Sequence, residues 1–203
     1  MNLSPRSAAV ALLAAVVLAH ILWLAEGGTF INGIVLGIFV SIAILAVTAG
    51  LSRWCNFFVR TIVGLELLGS VADRFGLLGA PGDTTVFWGS FAFFLDYVRL
   101  LLPPPMVGAA PVVGVAATAA EIVVGVLLVI GIRRSSVAAA GALLLAAFAL
   151  AMVTSVGVTA TAEYAVVPQG AALLLLALPL TPSRGARPIS RGVDARPSGS
   201  LVA

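Results

Sequence analysis

Apolar positions in this chain do not alternate with polar ones; they run in long blocks. Residues 7–25, 30–51, 57–72, 107–132, 137–158 and 164–180 are six such runs, separated by short polar joints. A helix needs roughly 20 apolar residues to cross a hydrocarbon core of ~30 Å, so the pattern predicts an all-α protein with six transmembrane helices. The third and sixth runs are short and must borrow flanking residues. Only the region 73–105, between the third and fourth runs, mixes apolar and polar positions. Residues 181–203 are rich in Arg, Pro, Gly and Ser, a composition expected to be disordered.

Composition agrees with the blocks. Hydrophobic residues make up 61% of the 203 and charged residues 9%, against about 25% charged in an ordinary soluble domain. A soluble enzyme, a secreted disulfide scaffold and a nucleic-acid-binding domain all fit this balance poorly. The single cysteine, Cys55, excludes an internal disulfide or a CxxC pair. The single histidine, His20, excludes a bis-His haem or multi-His metal centre within one chain. No metal site is expected.

The few charges give a direction. With the N-terminus inside, the inner segments hold Arg6, Arg53, Arg60, Arg133, Arg134, Arg184, Arg187, Arg191 and Arg196, and the outer ones hold only Arg74 and Arg99. Arg resists translocation, so both termini are expected in the cytoplasm, with the bundle in the plasma (inner) membrane. The loop acids Glu26, Asp73, Asp83, Asp96 and Glu163 fall outside and Asp194 inside. Two alternatives compete with this topology. Residues 7–25 follow Arg6 as a signal peptide would, but the run exceeds a usual h-region and no clean A-x-A site follows. Residues 84–102 as a seventh span would carry Asp96 and Arg99 and put the basic tail outside.

The mixed region reads as an outer amphipathic helix over about residues 84–102, lying at the membrane interface. It holds six of the fifteen aromatic residues, and Phe87, Phe91, Phe94 and Val98 recur at helical spacing. Asp83 or Thr84 can cap its start, Pro103–Pro105 stop it, and Asp96 can pair with Arg99 three residues on. The plain reading is an interfacial anchor. The functional one makes Trp88, Phe91, Phe94 and Tyr97 a lid over a cavity that takes a flat lipophilic ligand such as a quinone.

Two carboxylates sit inside apolar runs. A charge at that depth costs a few kcal/mol or more unless it is paired, protonated or facing a polar cavity. Glu66, Ser70 and Asp73 form one stripe on the third run, flanked by Arg74; Thr118, Glu121 and Gly125 share a face of the fourth. The two stripes are candidates for a ligand-binding or proton-accepting site. The plainer reading pairs each Glu with a neighbouring helix, or with Arg60 or Arg74. His20, near Trp23, reads as an interfacial anchor and Cys55 as an inert thiol. Two small-residue rows, Gly33-Gly37-Ser41 and Ala138-Ala142-Ala146, predict close helix packing, within the chain or in a homo-oligomer. The tail arginines read as topology determinants that touch anionic lipid, not nucleic acid.

From about residue 60 to 180 the sequence resembles the DoxX family of small bacterial and archaeal membrane proteins. The resemblance rests on four stretches in order: VRTIVGLELLGSVADRFGLLG, the outer VFWGSFAFFLDYV, ATAAEIVVGVLLVIGIRR, and the Leu/Ala-rich fifth run followed by AEYAVVPQGAALLLLALPL. It implies a four-helix DoxX-like membrane domain at residues 53–181, behind a two-span extension at 1–52 and before a basic tail at 182–203. It also implies an accessory subunit of a membrane oxidoreductase system that interacts with quinone, its partner a catalytic subunit. The chain carries no redox-cofactor motif of its own. A small proton-coupled transporter or channel and a non-catalytic scaffold or assembly protein are the alternative readings.

Overall fold

The computed structural model describes residues 4–83 and 86–179. Among them every regular element is helical: α1 Pro5–Ala25, α2 Gly33–Val47, α3 Arg53–Arg74, α4 Phe91–Leu101, α5 Ala110–Ile130, α6 Arg134–Ser155, α7 Val158–Glu163 and α8 Val166–Ala177, with a 3-10 turn at Pro104–Ala109 ahead of α5. Four stretches are long and apolar enough to cross a membrane: Pro5–Ala25, Arg53–Arg74, Pro104–Ile130 and Arg134–Ser155. The second and sixth runs give shorter helices than their hydropathy predicts. At 1.5 Å per residue, α2 is about 22 Å long and α8 about 18 Å.

Local chemistry sets those limits. The Asn32 side chain accepts from the backbone N–H of Ile34 and Val35 and starts α2 three residues into its run. Ala49 and Gly50, both at positive φ, turn the chain out after it. Ala165 at φ +51, the second residue of the sixth run, turns the chain between α7 and α8. The outer helix is also shorter than predicted. Ser90, not Asp83, caps it, accepting from Phe93 N. Asp83 instead accepts from Ala80 N in the preceding turn. Thr84, the other predicted cap, and the basic tail at 182–203 lie outside the described residues. Residues 86–90 are held off the helix by Gly89, at φ +62 with no room for a Cβ, which would lie 2.4 Å from Pro81 N.

The chain passes from one end of the bundle to the other along α1, α2, α3, α5, α6 and α8 in alternating directions. At one end the Arg6 guanidinium donates to the carbonyls of Ala49, Gly50 and Leu178, closing the C-terminal ends of α2 and α8. Asn56 donates to Gly50 O, Arg60 to the Leu128 and Val129 carbonyls at the end of α5, and Ser135 to Ala177 O. At the other end Ile31 N donates to Glu163 O and Ser155 to Leu101 O.

The core between the passes is apolar, built on Leu13, Ile38, Ile42, Val63, Leu128 and Leu173. The outside is apolar too: Val47, Leu143, Val112 and Ile34 are each more than 70% exposed. A surface of that kind suits lipid and not water. Closest packing joins α3 to α5 and α6 to α8. A Cβ on Gly64 would lie 2.9 Å from Gly125 O, and one on Gly141 2.7 Å from Leu173. Of the two predicted small-residue rows, Ala138 and Ala142 are buried in the bundle. Gly33 and Gly37 face open space, so that row does not pack within the chain.

Candidate ligand cavity beneath the outer helix

Glu121 comes from the middle of α5 and is 1% exposed. Its partner is Arg74, at the last turn of α3. The Arg74 Nη2 lies 2.8 Å from both carboxylate oxygens and donates also to Ser70 Oγ at 3.1 Å. Arg74 Nη1 donates to Thr118 Oγ1 at 3.0 Å, and that hydroxyl donates in turn to Gly114 O at 2.8 Å. Sequence spacing places Arg74 as a charge flanking the third-run stripe and, in the plainer reading, as a partner for a buried Glu, which it is for Glu121. The structure places it inside the bundle, where it ties α3 to α5.

The same guanidinium carries the outer helix. Its carbon lies 3.8 Å from the Phe94 ring centroid and 5.0 Å from that of Trp88. A cation over an aromatic face is worth about 2 kcal/mol or more when both are shielded from water. Asp73, one residue earlier, points to the loop. Its carboxylate accepts from the backbone N–H of Phe87, Trp88 and Gly89 at 3.0, 2.9 and 3.4 Å. Asp73 and Arg74 together fix residues 87–94 against the bundle, one through the backbone and one through the rings.

Under this cover lies a cavity of about 310 Å³. Leu67, Val98, Leu101, Leu145, Phe148 and Met152 form much of its apolar wall. Its polar lining is Glu66, Ser70, Arg74, Glu121, Tyr97, Tyr164 and Gln169, with Phe87, Trp88 and Phe94 on the outer side. Glu66, Ser70, Glu121, Trp88, Phe94 and Tyr97, all expected at a site from the sequence, therefore meet in one place. Three other expected residues stand back from it. Thr118 supports Arg74, Asp73 holds the loop, and Phe91 stacks on Phe75 with ring centroids 5.8 Å apart. Phe87 belongs with the lid, packing edge-on to Tyr164 at 5.2 Å. Tyr164 and Gln169 were not anticipated. The one sequence signal for Gln169 is a lone polar residue in the sixth apolar run.

Three polar atoms at this site have no partner within the described residues. Glu66 Oε2, Trp88 Nε1 and Arg74 Nε are all buried without a hydrogen bond. Buried polar atoms are nearly always paired, so three residues of one cavity with unspent groups mark it as a candidate ligand site. No group of His, Cys, Asp and Glu among the described residues is suited to a metal ion. Elsewhere, His20 is buried against Phe39 and Trp23, its Nδ1 3.1 Å from Val16 O, and works as a contact between α1 and α2. Cys55 is a half-buried free thiol. Asp96 and Arg99 form the predicted pair on the exposed face of α4.

Comparison with known family models, curated proteins and solved structures returned no match.

Proposed function

We propose that this chain is a DoxX-like protein of the bacterial plasma membrane. In this reading it is the quinone-interacting accessory subunit of a membrane oxidoreductase system. All six passes cross the bilayer, with α2 and α8 completed by the loops beside them, and both termini are cytoplasmic. The end bearing Arg6, Arg53, Arg60, Arg133 and Arg134 faces inward, and the cavity beneath α4 opens in the outer half of the membrane.

The cavity itself carries the reading. Its volume fits a small ring system, its wall is apolar, and few polar groups converge on it. A quinone needs donors for its carbonyl oxygens and apolar surface for its ring and isoprenoid tail. Trp88 Nε1 is an unspent donor, and Glu66 becomes one when it holds a proton. Phe87 and Phe94 supply ring surface. A bound quinone would supply the electron-accepting chemistry; this chain's residues bind it, orient it and exclude water.

Calorimetric titration of the purified full chain with a short-chain benzoquinone tests this. Saturable binding is expected, with Trp88→Phe weakening it about 3- to 10-fold, the worth of one neutral hydrogen bond. Absence of saturable binding would leave the scaffold reading. One observation favours a second function. Glu66 is an ionisable group facing a cavity at membrane depth with one oxygen unpaired, as a proton-coupled transporter requires. Proton-linked flux in liposomes, lost in Glu66→Gln, is the result that reading predicts.

A further inference from the structure

We propose that the cavity beneath α4 also binds lipophilic monocations, with Glu66 as their counter-ion. The inference rests on the cavity as a ligand site and adds a charge preference to it.

The cavity wall holds one cation and two carboxylates: Arg74, Glu66 and Glu121. Arg74 and Glu121 satisfy one another at 2.8 Å, both nearly inaccessible to solvent. Asp73, beside them, is engaged by three backbone N–H groups. An anion entering the cavity therefore finds no uncompensated positive charge: Glu121 neutralises Arg74, which keeps only its Nε–H without an acceptor, and the anion also meets Glu66. A cation finds a carboxylate with no charged partner, which has the Gln169 amide as a neighbouring donor and an Oε2 without any partner. A lone carboxylate at this depth is costly, and a cation that enters as Glu66 loses its proton removes that cost.

The rings make the same selection. Phe87, Trp88, Phe94, Tyr97 and Tyr164 all line the cavity. The Arg74 guanidinium already rests on Phe94 and Trp88, so these faces hold a cation within this fold. Phe87, Tyr97 and Tyr164 remain for a second one. Aromatic walls around one carboxylate favour a weakly hydrated ammonium with apolar substituents over a metal ion or a primary amine. The other titratable and charged groups facing Glu66 are Arg74 on its own helix, Glu121 from α5, Tyr97 from α4 and Tyr164 from the turn before α8; α6 brings none.

The test is calorimetric titration of the full chain in detergent with three ligands: benzyltrimethylammonium, its neutral carbon isostere neopentylbenzene, and the short-chain benzoquinone. Wild type is expected to bind the cation at least tenfold more tightly than the isostere, and more tightly as pH rises and Glu66 loses its proton. Glu66→Gln should lose at least tenfold for the cation. A helical circular dichroism spectrum and a cooperative thermal transition like those of wild type report that the variant is folded. Glu66→Asp should keep part of the cation affinity. Equal affinity of wild type for cation and isostere would overturn the proposal, as would cation binding unchanged in Glu66→Gln. Quinone binding without cation binding would sink this inference alone. Failure of both ligands would sink the quinone reading with it.

Discussion

At the residue scale, two glutamates that look alike in the sequence have different parts. Each is the one acid in an apolar run, and that is why both were legible as exceptional. Their difference was not, because it depends on Arg74, which lies 47 positions from Glu121 and closes the third run as a loop charge would. Only the antiparallel packing of α3 on α5 brings the pair together. Removing one partner of a buried pair strands the other charge, so Arg74→Met or Glu121→Leu alone should lower stability by about 3–5 kcal/mol. The double substitution should cost less than the sum of the two. Equilibrium unfolding in mixed micelles checks this; additive losses would mean that the two residues stabilise the fold separately.

At the scale of elements, the hydrophobic blocks located every long helix, since burial in lipid is written directly into composition. Helix ends were less legible. α4 starts at the local cap Ser90, behind a loop whose N–H groups at 87–89 Asp73 gathers from another element, and a scan for the first capping residue stops earlier, at Asp83 or Thr84. Small residues show the same limit. Gly37 and Gly64 both look like packing glycines, yet a Cβ on Gly64 meets Gly125 O and Leu128 Cβ while one on Gly37 meets nothing. Gly64→Ala should therefore push α3 from α5 and cost about 1–3 kcal/mol. Gly37→Ala should leave stability unchanged or raise it by up to about 1 kcal/mol through helix propensity. The same micelle unfolding reads both. Destabilisation by Gly37→Ala would instead place a second subunit on that face.

For the whole molecule, an apolar exterior surrounds a cavity with few polar groups. Arg60 and Arg74 are both buried, so among the described residues Arg99 is left at one end of the bundle and Arg6, Arg53, Arg133 and Arg134 at the other. In a Cys55→Ser background, Thr29→Cys and Asp83→Cys should react with a membrane-impermeant maleimide on intact cells, and Arg133→Cys only after permeabilisation. The reverse pattern would invert the orientation. The central claim is that the space beneath α4 is a binding site, and photo-crosslinking tests it most directly. A photoactivatable short-chain quinone, irradiated with the full chain in liposomes and mapped by mass spectrometry, should label the segments around Glu66, Trp88 and Tyr164. Excess unmodified quinone should suppress that labelling. Labelling spread over the exposed faces at Val112 and Leu143, and unmoved by competitor, would contradict the account.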